Sequence, residues 1–272
     1  MFNSKMHTII SERCFPSNTY GSFGKRLVKY FYNKNDCLFS NSLHINSDLK
    51  TNFNLRIPTH VIYNPIKTLE EMPNFKSYNE SNETFKIISV GRLNPVKNQM
   101  SLIRTMALLN AQFYLNIFGI GILEDALKLE TKTLNLNEHV DFKGNNDAIH
   151  NEIVKHHCLV LTSLSEGFPN VILEAMSLGV PVISTNCMSG PLELLNDNQD
   201  VFIETGSFFR AKYGLLVNVN DEKGLAEAIK YYKNNENVRI NYSNLSFQKA
   251  KQFDISKIGV QLKELIDSLC VE

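Results

Sequence analysis

The sequence predicts an α/β protein whose main part is a doubly wound parallel sheet. Between residues 86 and 217, short apolar runs alternate with stretches of helical periodicity. The run at 158–162 is apolar enough for a strand that is covered on both faces. Glycines stand at the boundaries of several units, at Gly91, Gly119 and Gly179. Repeated strand–helix units of this length favour a parallel sheet with helices on both sides.

Each element follows from its local pattern. Six strands are predicted, at 86–90, 114–118, 139–142, 158–162, 181–185 and 213–217. Four helices are predicted between these strands: over 98–109, from the Gly119–Gly121 turn to about 134, over 147–156, and from about Pro169 to just before Gly179. Asp147 is expected to be the N-cap of the third. Two more helices are predicted after the sheet, over 221–236 and over 245–270. Ahead of this sheet, strand-like runs at 8–10, 36–39 and 60–63 accompany two helical stretches, which are too few elements for a full domain core.

These elements divide the chain into four parts. Residues 1–66 form a partial N-terminal domain, and the polar segment 67–84, which contains Pro73, is a linker. Residues 85–240 form the complete α/β domain. Residues 241–272 carry a C-terminal helix that is expected to return to the N-terminal part.

Composition excludes several classes of function. The formal net charge is zero, so the whole chain does not favour a nucleic-acid partner. The five cysteines are scattered without a CxxC pair, which argues against a zinc site or a disulfide framework and favours a reducing cytosol. No apolar run approaches the ~18 residues of a membrane span. The N-terminus has no signal-peptide core, so we expect a cytoplasmic protein, with the inner face of the membrane as an option.

The strongest chemical signal is the segment from Ser165 to Met176, which directly follows the buried strand 158–162. Glu166 stands at the carboxyl end of that strand, where open α/β sheets bind ligands. Glu174 stands eight residues later in the following helix. Helical side chains lean toward the N-terminus, so Glu174 should point back at the same loop. The free amides around 168–171 suit an anion or a hydroxyl-rich ligand.

A second signal follows the first strand of the sheet. The loop from Gly91 to Asn98 supplies two cations, Arg92 and Lys97, at the start of a helix. Arginine can contact two phosphate oxygens at once, and lysine adds a point charge. Fixed cations at this place would stabilise the negative charge of a departing diphosphate.

With these motifs, the sequence resembles the GT-B glycosyltransferases of the family-4 type (retaining, group 1). The resemblance runs from about Ser11 to the C-terminus. It rests on Ser11-Glu12-Arg13, Val61-Ile62-Tyr63-Asn64-Pro65, Gly91-Arg92 with Lys97, Gly119-x-Gly121, Phe142-Lys143-Gly144, and the Glu-x7-Glu block with Gly179-Val180-Pro181-Val182-Ile183. The Glu-x7-Glu block is specific in its strand–loop–helix context, whereas Gly-x-Gly alone is a weak signal.

The resemblance implies a fold and a set of roles. The fold would be GT-B, with one complete Rossmann-like donor domain and a partial Rossmann-like acceptor domain. Arg92 and Lys97 would grip the donor diphosphate, Glu166 would contact the transferred sugar, and Glu174 would bind the ribose. The remaining donor contacts would come from Gly119, Phe142, Lys143, Gly167, Phe168, Pro169, Asn170 and Val171. The donor would be a UDP- or GDP-linked hexose or N-acetylhexosamine, with no other cofactor and no metal. The acceptor would be a cell-surface glycan or a lipid-linked oligosaccharide.

The resemblance also places the start of this chain inside the family's acceptor domain. We therefore expect an N-terminally truncated enzyme, or a subunit that needs a partner chain, and we assign no catalytic base. His7 and His44 do not match the family's N-domain histidine. The alternative function is a non-catalytic protein that binds a nucleotide-sugar. A sugar-nucleotide epimerase is a more distant option, and a dehydrogenase lacks its Gly-x-Gly-x-x-Gly motif after the first strand.

Structural interpretations stay open for several of these residues. Glu166 and Glu174 could be a pair at a helix start that merely suits the helix dipole. Arg92 and Lys97 could lie in a solvated loop. Gly119 could serve only to close a tight turn, and Phe142-Lys143 could be an ordinary strand end. The segment 25–34 (KRLVKYFYNK) fits a basic amphipathic helix that rests on an anionic bilayer. It fits equally well a surface helix whose aromatic side chains lie in the core.

Overall fold

The computed structural model describes residues 6–73 and 84–270, which form two parallel β-sheets flanked by helices. The first sheet has three strands in the order β1-β2-β3. These strands are Ile9–Glu12 (β1), Cys37–Ser40 (β2) and Thr59–Val61 (β3). Both pairings are parallel, with Ile9 opposite Cys37 and Leu38 opposite Thr59.

The second sheet has seven strands in the order β6-β5-β4-β7-β8-β10-β9. They are Phe85–Val90 (β4), Phe113–Phe118 (β5), Val140–Gly144 (β6), Cys158–Leu161 (β7), Val182–Thr185 (β8), Phe208–Arg210 (β9) and Leu215–Val217 (β10). All neighbours are parallel except β9, which pairs antiparallel with β10 at the edge. The order reverses between β4 and β7, so the carboxyl ends of these two strands border a crevice suited to a ligand.

Eleven α-helices connect and cover the strands in the described part of the chain. They are Pro16–Thr19 (α1), Ser22–Tyr32 (α2), Leu43–Phe53 (α3), Gln99–Met106 (α4), Glu124–Thr133 (α5), Ile149–Ile153 (α6), Asn170–Ser177 (α7), Pro191–Asn196 (α8), Glu222–Asn234 (α9), Glu236–Ala250 (α10) and Ile255–Cys270 (α11). None of them is both long and apolar enough to cross a bilayer.

Alternating strand residues build a core on each face of the larger sheet. Ile87 packs with α4 and α9, whereas its neighbour Ile88 packs on the opposite face with α7 and α8. Leu159 and Val160 divide in the same way. Successive side chains of a strand point to opposite faces, so a strand that is apolar throughout requires two covered faces. The sheet is therefore doubly wound, as the sequence predicts.

The C-terminal segment crosses from the larger sheet to the smaller one. After α10, a turn of 3-10 helix (Lys251–Phe253) leads into α11. Ile258 and Leu265 of α11 are buried with Cys37 and Ile62 of the N-terminal part. At the crossing, Asp254 accepts hydrogen bonds from the amide and hydroxyl of Thr68.

The structure corrects four local predictions. The expected helix over 245–270 is two helices, α10 and α11, separated by the turn at 251–253. Strand β9 and helix α8 were not predicted, because three and six residues are too short to show a period. Asp147 is not the cap of α6, which has Ala148 at that position without a side-chain cap. Instead, the Asn146 side chain accepts from the Ala148 amide at 2.8 Å.

Candidate functional site

An ion pair joins the loops that follow β4 and β7. The Lys97 ammonium lies 2.6 Å from Oε1 of Glu166, and the side chains are 20% and 10% exposed. The Ser163 hydroxyl donates to the same carboxylate oxygen at 2.5 Å. The two loops meet because β4 and β7 are neighbours at the reversal of strand order. Two residues far apart in sequence therefore place opposite charges at the mouth of the crevice.

Arg92 lines a small pocket next to this pair. The pocket has a volume of about 190 Å³ at the carboxyl ends of β4, β5 and β6. Its walls are formed by Val90, Gly91, Arg92, Phe118, Gly119, Ile120, Asn145, Asn146 and Ile149. The Lys97 stem lies about 3.5 Å from where a Cβ on Gly91 would be, so Lys97 runs along the same loop. The pocket therefore combines an apolar floor with one guanidinium and two amide side chains.

Gly119 is required by packing against the loop after β4. A Cβ at Gly119 would lie 2.0 Å from the Gly91 carbonyl oxygen, and the residue has φ +133. The Gly119 amide donates to the Gly144 carbonyl at 2.7 Å. Gly119 therefore allows the loops after β4 and β5 to touch, and its predicted contact with the donor stays a prediction.

Glu174 lies one turn inside α7, where it is half-buried. Burial raises the pKa of its carboxyl, and nearby His150 acts in the opposite direction. His150 follows Ile149, which lines the pocket of Arg92. Glu166 faces Lys97, and the predicted contact of Glu174 with the donor ribose stays a prediction.

The amino end of α7 sits beside Glu166 without a side-chain cap. Pro169 occupies the N-cap position, and its side chain offers no acceptor to the first amides of the helix. Its backbone carbonyl accepts from the Ile172 amide at 3.0 Å. Phe168 is buried between Tyr63 and Phe253, with ring centroids 5.4 and 5.9 Å away. Val171 packs at the edge of the same core, and Asn170 accepts from the Asn64 side chain at 2.7 Å. These side chains are anchored in the protein, and the predicted donor contacts of residues 167–171 stay a prediction.

Phe142 and Lys143 lie away from the pocket walls. Phe142 is partly buried against the core below α4 and α5. Lys143 forms an ion pair with Asp141 on the same strand. The following residues, Asn145 and Asn146, line the pocket instead. The predicted contact of Phe142 and Lys143 with the nucleobase stays a prediction.

The N-terminal part closes directly over the Glu166 loop. A Cβ on Gly167 would lie 2.3 Å from the carbonyl oxygen of Arg13. The Asn18 side chain donates to the Ser165 hydroxyl at 3.3 Å. Only glycine permits this approach of one backbone to another. The segment around Arg13 therefore forms a wall of the crevice opposite α7.

A buried carboxylate joins the two parts of the chain. Glu193 of α8 is 5% exposed and accepts from the Ser42 hydroxyl at 2.5 Å and the Leu43 amide at 3.0 Å. It also accepts from the backbone and the ring of His44, at 3.2 and 3.0 Å. Burial acts to raise the pKa of Glu193, but the hydrogen bonds from His44, Ser42 and the amides lower it overall. The bond to Glu193 raises the pKa of His44.

This cluster continues into the Glu166 loop. The Ser42 and Ser189 hydroxyls are 2.7 Å apart, and Ser189 donates to the Gly167 carbonyl at 2.9 Å. Ser42 donates its one hydroxyl hydrogen to Glu193 and Ser189 donates its own to Gly167, so the approach of the two hydroxyls is a polar contact and not a third hydrogen bond. A chain of polar contacts thus runs from Glu193 through Ser42 and Ser189 to the residue after Glu166. We call these four residues, Ser42, His44, Ser189 and Glu193, the interdomain clamp.

Sequence reasoning missed the clamp, Ser163 and the two pocket asparagines. Asn145 and Asn146 come two residues after the predicted strand 139–142, so their position near its carboxyl end was a usable signal. Ser42 and Glu193 are 151 residues apart, and no local pattern connects them. Among the described residues, no group of three or more histidine, cysteine or acidic side chains could hold a metal ion.

Comparison with known proteins identifies the class. The model of the family "Glycosyl transferases group 1" matches residues 71–249. The chain belongs to this family. It is a glycosyltransferase with an α/β fold of the GT-B type.

Two curated relatives match almost the whole chain. One is the N-acetylgalactosamine-N,N'-diacetylbacillosaminyl-diphospho-undecaprenol 4-alpha-N-acetylgalactosaminyltransferase of Campylobacter jejuni, which is 31% identical over 95% of this chain and 69% of its own length. The other is an uncharacterized glycosyltransferase of Methanocaldococcus jannaschii, 29% identical over 97% of this chain and 72% of its own length. A lipopolysaccharide 1,6-galactosyltransferase of Escherichia coli is 30% identical over 50% of this chain and 39% of its own length.

Solved structures show the same fold at lower identity. Anabaena HepE in complex with UDP and glucose superposes with a TM-score of 0.78 at 22% identity, covering 96% of this chain and 71% of HepE. The sucrose-phosphate synthase of Thermosynechococcus elongatus reaches a TM-score of 0.82 at 19% identity, covering 96% of this chain and 67% of that enzyme.

Proposed function

We propose that this glycosyltransferase moves a hexose or N-acetylhexosamine from a UDP- or GDP-linked donor to a cell-surface glycan or a lipid-linked oligosaccharide, with retention of configuration. The observation that carries the proposal is the Lys97–Glu166 ion pair beside the Arg92 pocket. The names of the relatives from C. jejuni and E. coli support an acceptor of this class.

The cations would assist departure of the nucleoside diphosphate. As the bond between the sugar carbon and the diphosphate oxygen breaks, negative charge grows on that oxygen. Lys97 is held in place by Glu166 and is largely shielded from water, so it need not reorganise at that moment. Arg92 borders the pocket from the same loop and could contact two phosphate oxygens.

The acidic residues would orient the donor. Glu166 stands next to the Gly167 backbone, so it would contact hydroxyls of the transferred sugar while the amides of α7 face the diphosphate. Glu174 would hold the ribose, with the nucleobase in the pocket that Asn145 and Asn146 line. The acceptor hydroxyl would approach through the side bordered by Arg13 and Asn18, on the face from which the diphosphate leaves.

The test is transfer by the purified chain from a panel of UDP- and GDP-sugars to acceptors of the lipid-linked and lipopolysaccharide classes. The anomeric configuration of the product is read by NMR. Lys97→Ala should strongly weaken donor binding in calorimetry and slow transfer. Lys230→Ala is the matched control, because Lys230 also forms an ion pair with a glutamate but lies on α9.

Three results would count against the proposal. An inverted product would refute retention. Transfer by Lys97→Ala at the wild-type rate would refute the assigned site. Donor binding without transfer to any acceptor would support the alternative of a non-catalytic nucleotide-sugar binding protein, or of a subunit that needs a partner chain.

A further inference from the structure

Arg13 lies at the carboxyl end of β1, directly after the last residue of that strand. Its carbonyl oxygen would lie 2.3 Å from a Cβ on Gly167, so its backbone packs against the loop that carries Glu166. Glu166, which pairs with Lys97, is the residue before this contact. Consecutive Cα atoms are about 3.8 Å apart, so an arginine side chain at position 13 is long enough to reach the space beside the ion pair.

A buried carboxylate fixes the backbone of this segment. Glu12 is 5% exposed and accepts from the Arg13 and Cys14 amides at 3.0 and 3.1 Å. The same carboxylate accepts from the Tyr32 hydroxyl at 2.9 Å. These bonds do not involve the Arg13 side chain, so the backbone of Arg13 should keep its place when that side chain is changed.

The guanidinium of Arg13 keeps most of its donors unpaired. The side chain is exposed, and its Nε donates to the Ser11 hydroxyl at 3.3 Å. None of the ion pairs among residues 6–73 and 84–270 includes Arg13. Within those ranges its terminal nitrogens have no acceptor, and these are the nitrogens that can contact two phosphate oxygens at once.

The proposed donor site has little positive charge of its own for a diphosphate. Arg92 and Lys97 are two cations, but Glu166 lies 2.6 Å from the Lys97 ammonium, so the three side chains together carry a net charge of one. A nucleotide-sugar bears a negative charge on each phosphate, and departure of the nucleoside diphosphate adds another. A further cation at the crevice would therefore improve the balance of charge.

We propose that Arg13 is a third cation of the donor site and contacts the diphosphate of the nucleotide-sugar from the wall opposite α7. Its guanidinium contacts two phosphate oxygens, so the bound donor joins the N-terminal part of the chain to the larger sheet. The inference rests on the proposed function, because it assigns a further residue to the same donor.

Calorimetry with UDP and with uridine tests the proposal, because these two ligands differ only in the diphosphate. Displacement titrations extend the measurement to the weaker nucleoside. Arg13→Gln should lower the affinity for UDP by roughly tenfold to a hundredfold and leave the affinity for uridine unchanged. Arg13→Lys should recover part of the loss, because lysine keeps the charge but does not contact two oxygens at once. In the transfer assay, Arg13→Gln should raise the donor KM and lower kcat.

Arg56→Gln is the matched control. Arg56 is an exposed arginine of the same N-terminal part, but it precedes β3 and so lies at the amino-terminal edge of the small sheet, away from the crevice. This variant should bind UDP like the wild type. Circular dichroism should show both variants folded, since both side chains are exposed.

Three outcomes would overturn the assignment of Arg13. Wild-type affinity of Arg13→Gln for UDP would show that the guanidinium does not contact the diphosphate. An equal loss of UDP and uridine binding would show that Arg13 only supports the loop. Slower transfer at unchanged UDP affinity would assign Arg13 to the acceptor or to the transferred sugar. A wild-type chain that binds neither UDP nor GDP would instead refute the proposed donor site, and the assignment of Arg13 with it.

Discussion

Replacing Glu193 with alanine removes the carboxylate that joins the two parts of the chain. Glu193 accepts one hydrogen bond from a hydroxyl, two from amides and one from the His44 ring. The amides of His44 and Ile45 keep the Ser42 hydroxyl as an acceptor, because Ser42 caps α3. The Leu43 amide and the His44 ring lose their acceptor.

The expected loss of stability follows from the burial of this group. Removing the carboxylate leaves the Leu43 amide without its acceptor, which should cost about 1–3 kcal/mol in the free energy of unfolding, in addition to the lost packing of the side chain. Glu193→Gln should cost about 1–3 kcal/mol, because the amide keeps one acceptor oxygen but turns an NH₂ group toward a donor. His44→Ala should cost about 1 kcal/mol or less, since the His44 side chain is 34% exposed and water screens the pair.

Urea unfolding followed by circular dichroism measures these differences. Glu227→Ala is the control, because Glu227 also pairs with a lysine but is 53% exposed, and its loss should cost about 0.5 kcal/mol or less. A loss below about 1 kcal/mol in Glu193→Ala, or an equal loss in Glu227→Ala, would refute the reasoning from burial.

The clamp should also affect the donor site. The chain from Glu193 through Ser42 and Ser189 ends on the Gly167 carbonyl. Without it the Glu166 loop loses a fixed support, so Glu193→Gln should weaken donor binding in calorimetry while the chain stays folded. Unchanged donor affinity in folded Glu193→Gln would show that the clamp is only structural.

Three further predictions follow from the geometry. Lys97→Ala should lower the transfer rate on the order of 10²–10³-fold in a steady-state assay, as expected for one fixed group that stabilises developing charge. A rate equal to that of the wild type or of Lys230→Ala would contradict this prediction. Gly167→Ala should cost about 1–3 kcal/mol in urea unfolding, since its Cβ would lie 2.3 Å from the Arg13 carbonyl oxygen; wild-type stability would show that the two segments separate freely. Stability should also depend on pH through the clamp. The pKa of Glu193 is lowered on folding, so its contribution to the free energy of unfolding is lost as the pH falls through the pKa that Glu193 has in the folded state. The pKa of His44 is raised on folding, so its contribution to the free energy of unfolding is present below about pH 6.5 and is lost as the pH rises through the pKa that His44 has in the folded state. The melting temperature should therefore be highest between these two values, and His44→Ala should abolish the decline on the alkaline side.

Much of the fold is predictable because strands and helices carry their own periodicity. The strand predicted at 86–90 lies at Phe85–Val90, and the one at 158–162 lies at Cys158–Leu161. The prediction failed where an element depends on its neighbours. Strand β9 exists because the edge of β10 offers it backbone partners, and three residues show no period of their own.

The candidate site is predictable to the extent that it is built from loops after buried strands. Lys97 and Glu166 each follow a predicted strand, so their position at the same edge of the sheet could be expected. Their direct ion pair could not, because it depends on β4 and β7 being neighbours. Phe142 and Lys143 were selected by the family resemblance, whereas the position of Asn145 and Asn146 after a predicted strand could have been used to find them.

The sequence by itself determined the class of fold, the family and the loops that carry charge. These depend on local patterns: apolar period, glycine positions and the Glu-x7-Glu spacing. Only the tertiary structure decided that Glu193 binds the start of α3 across 151 residues, and that the aromatic face of α2 looks outward. The apolar positions of α2 span more of the helix than one core contact can cover, and the packing of Val28 and Tyr32 against the rest of the chain decides which of them are buried.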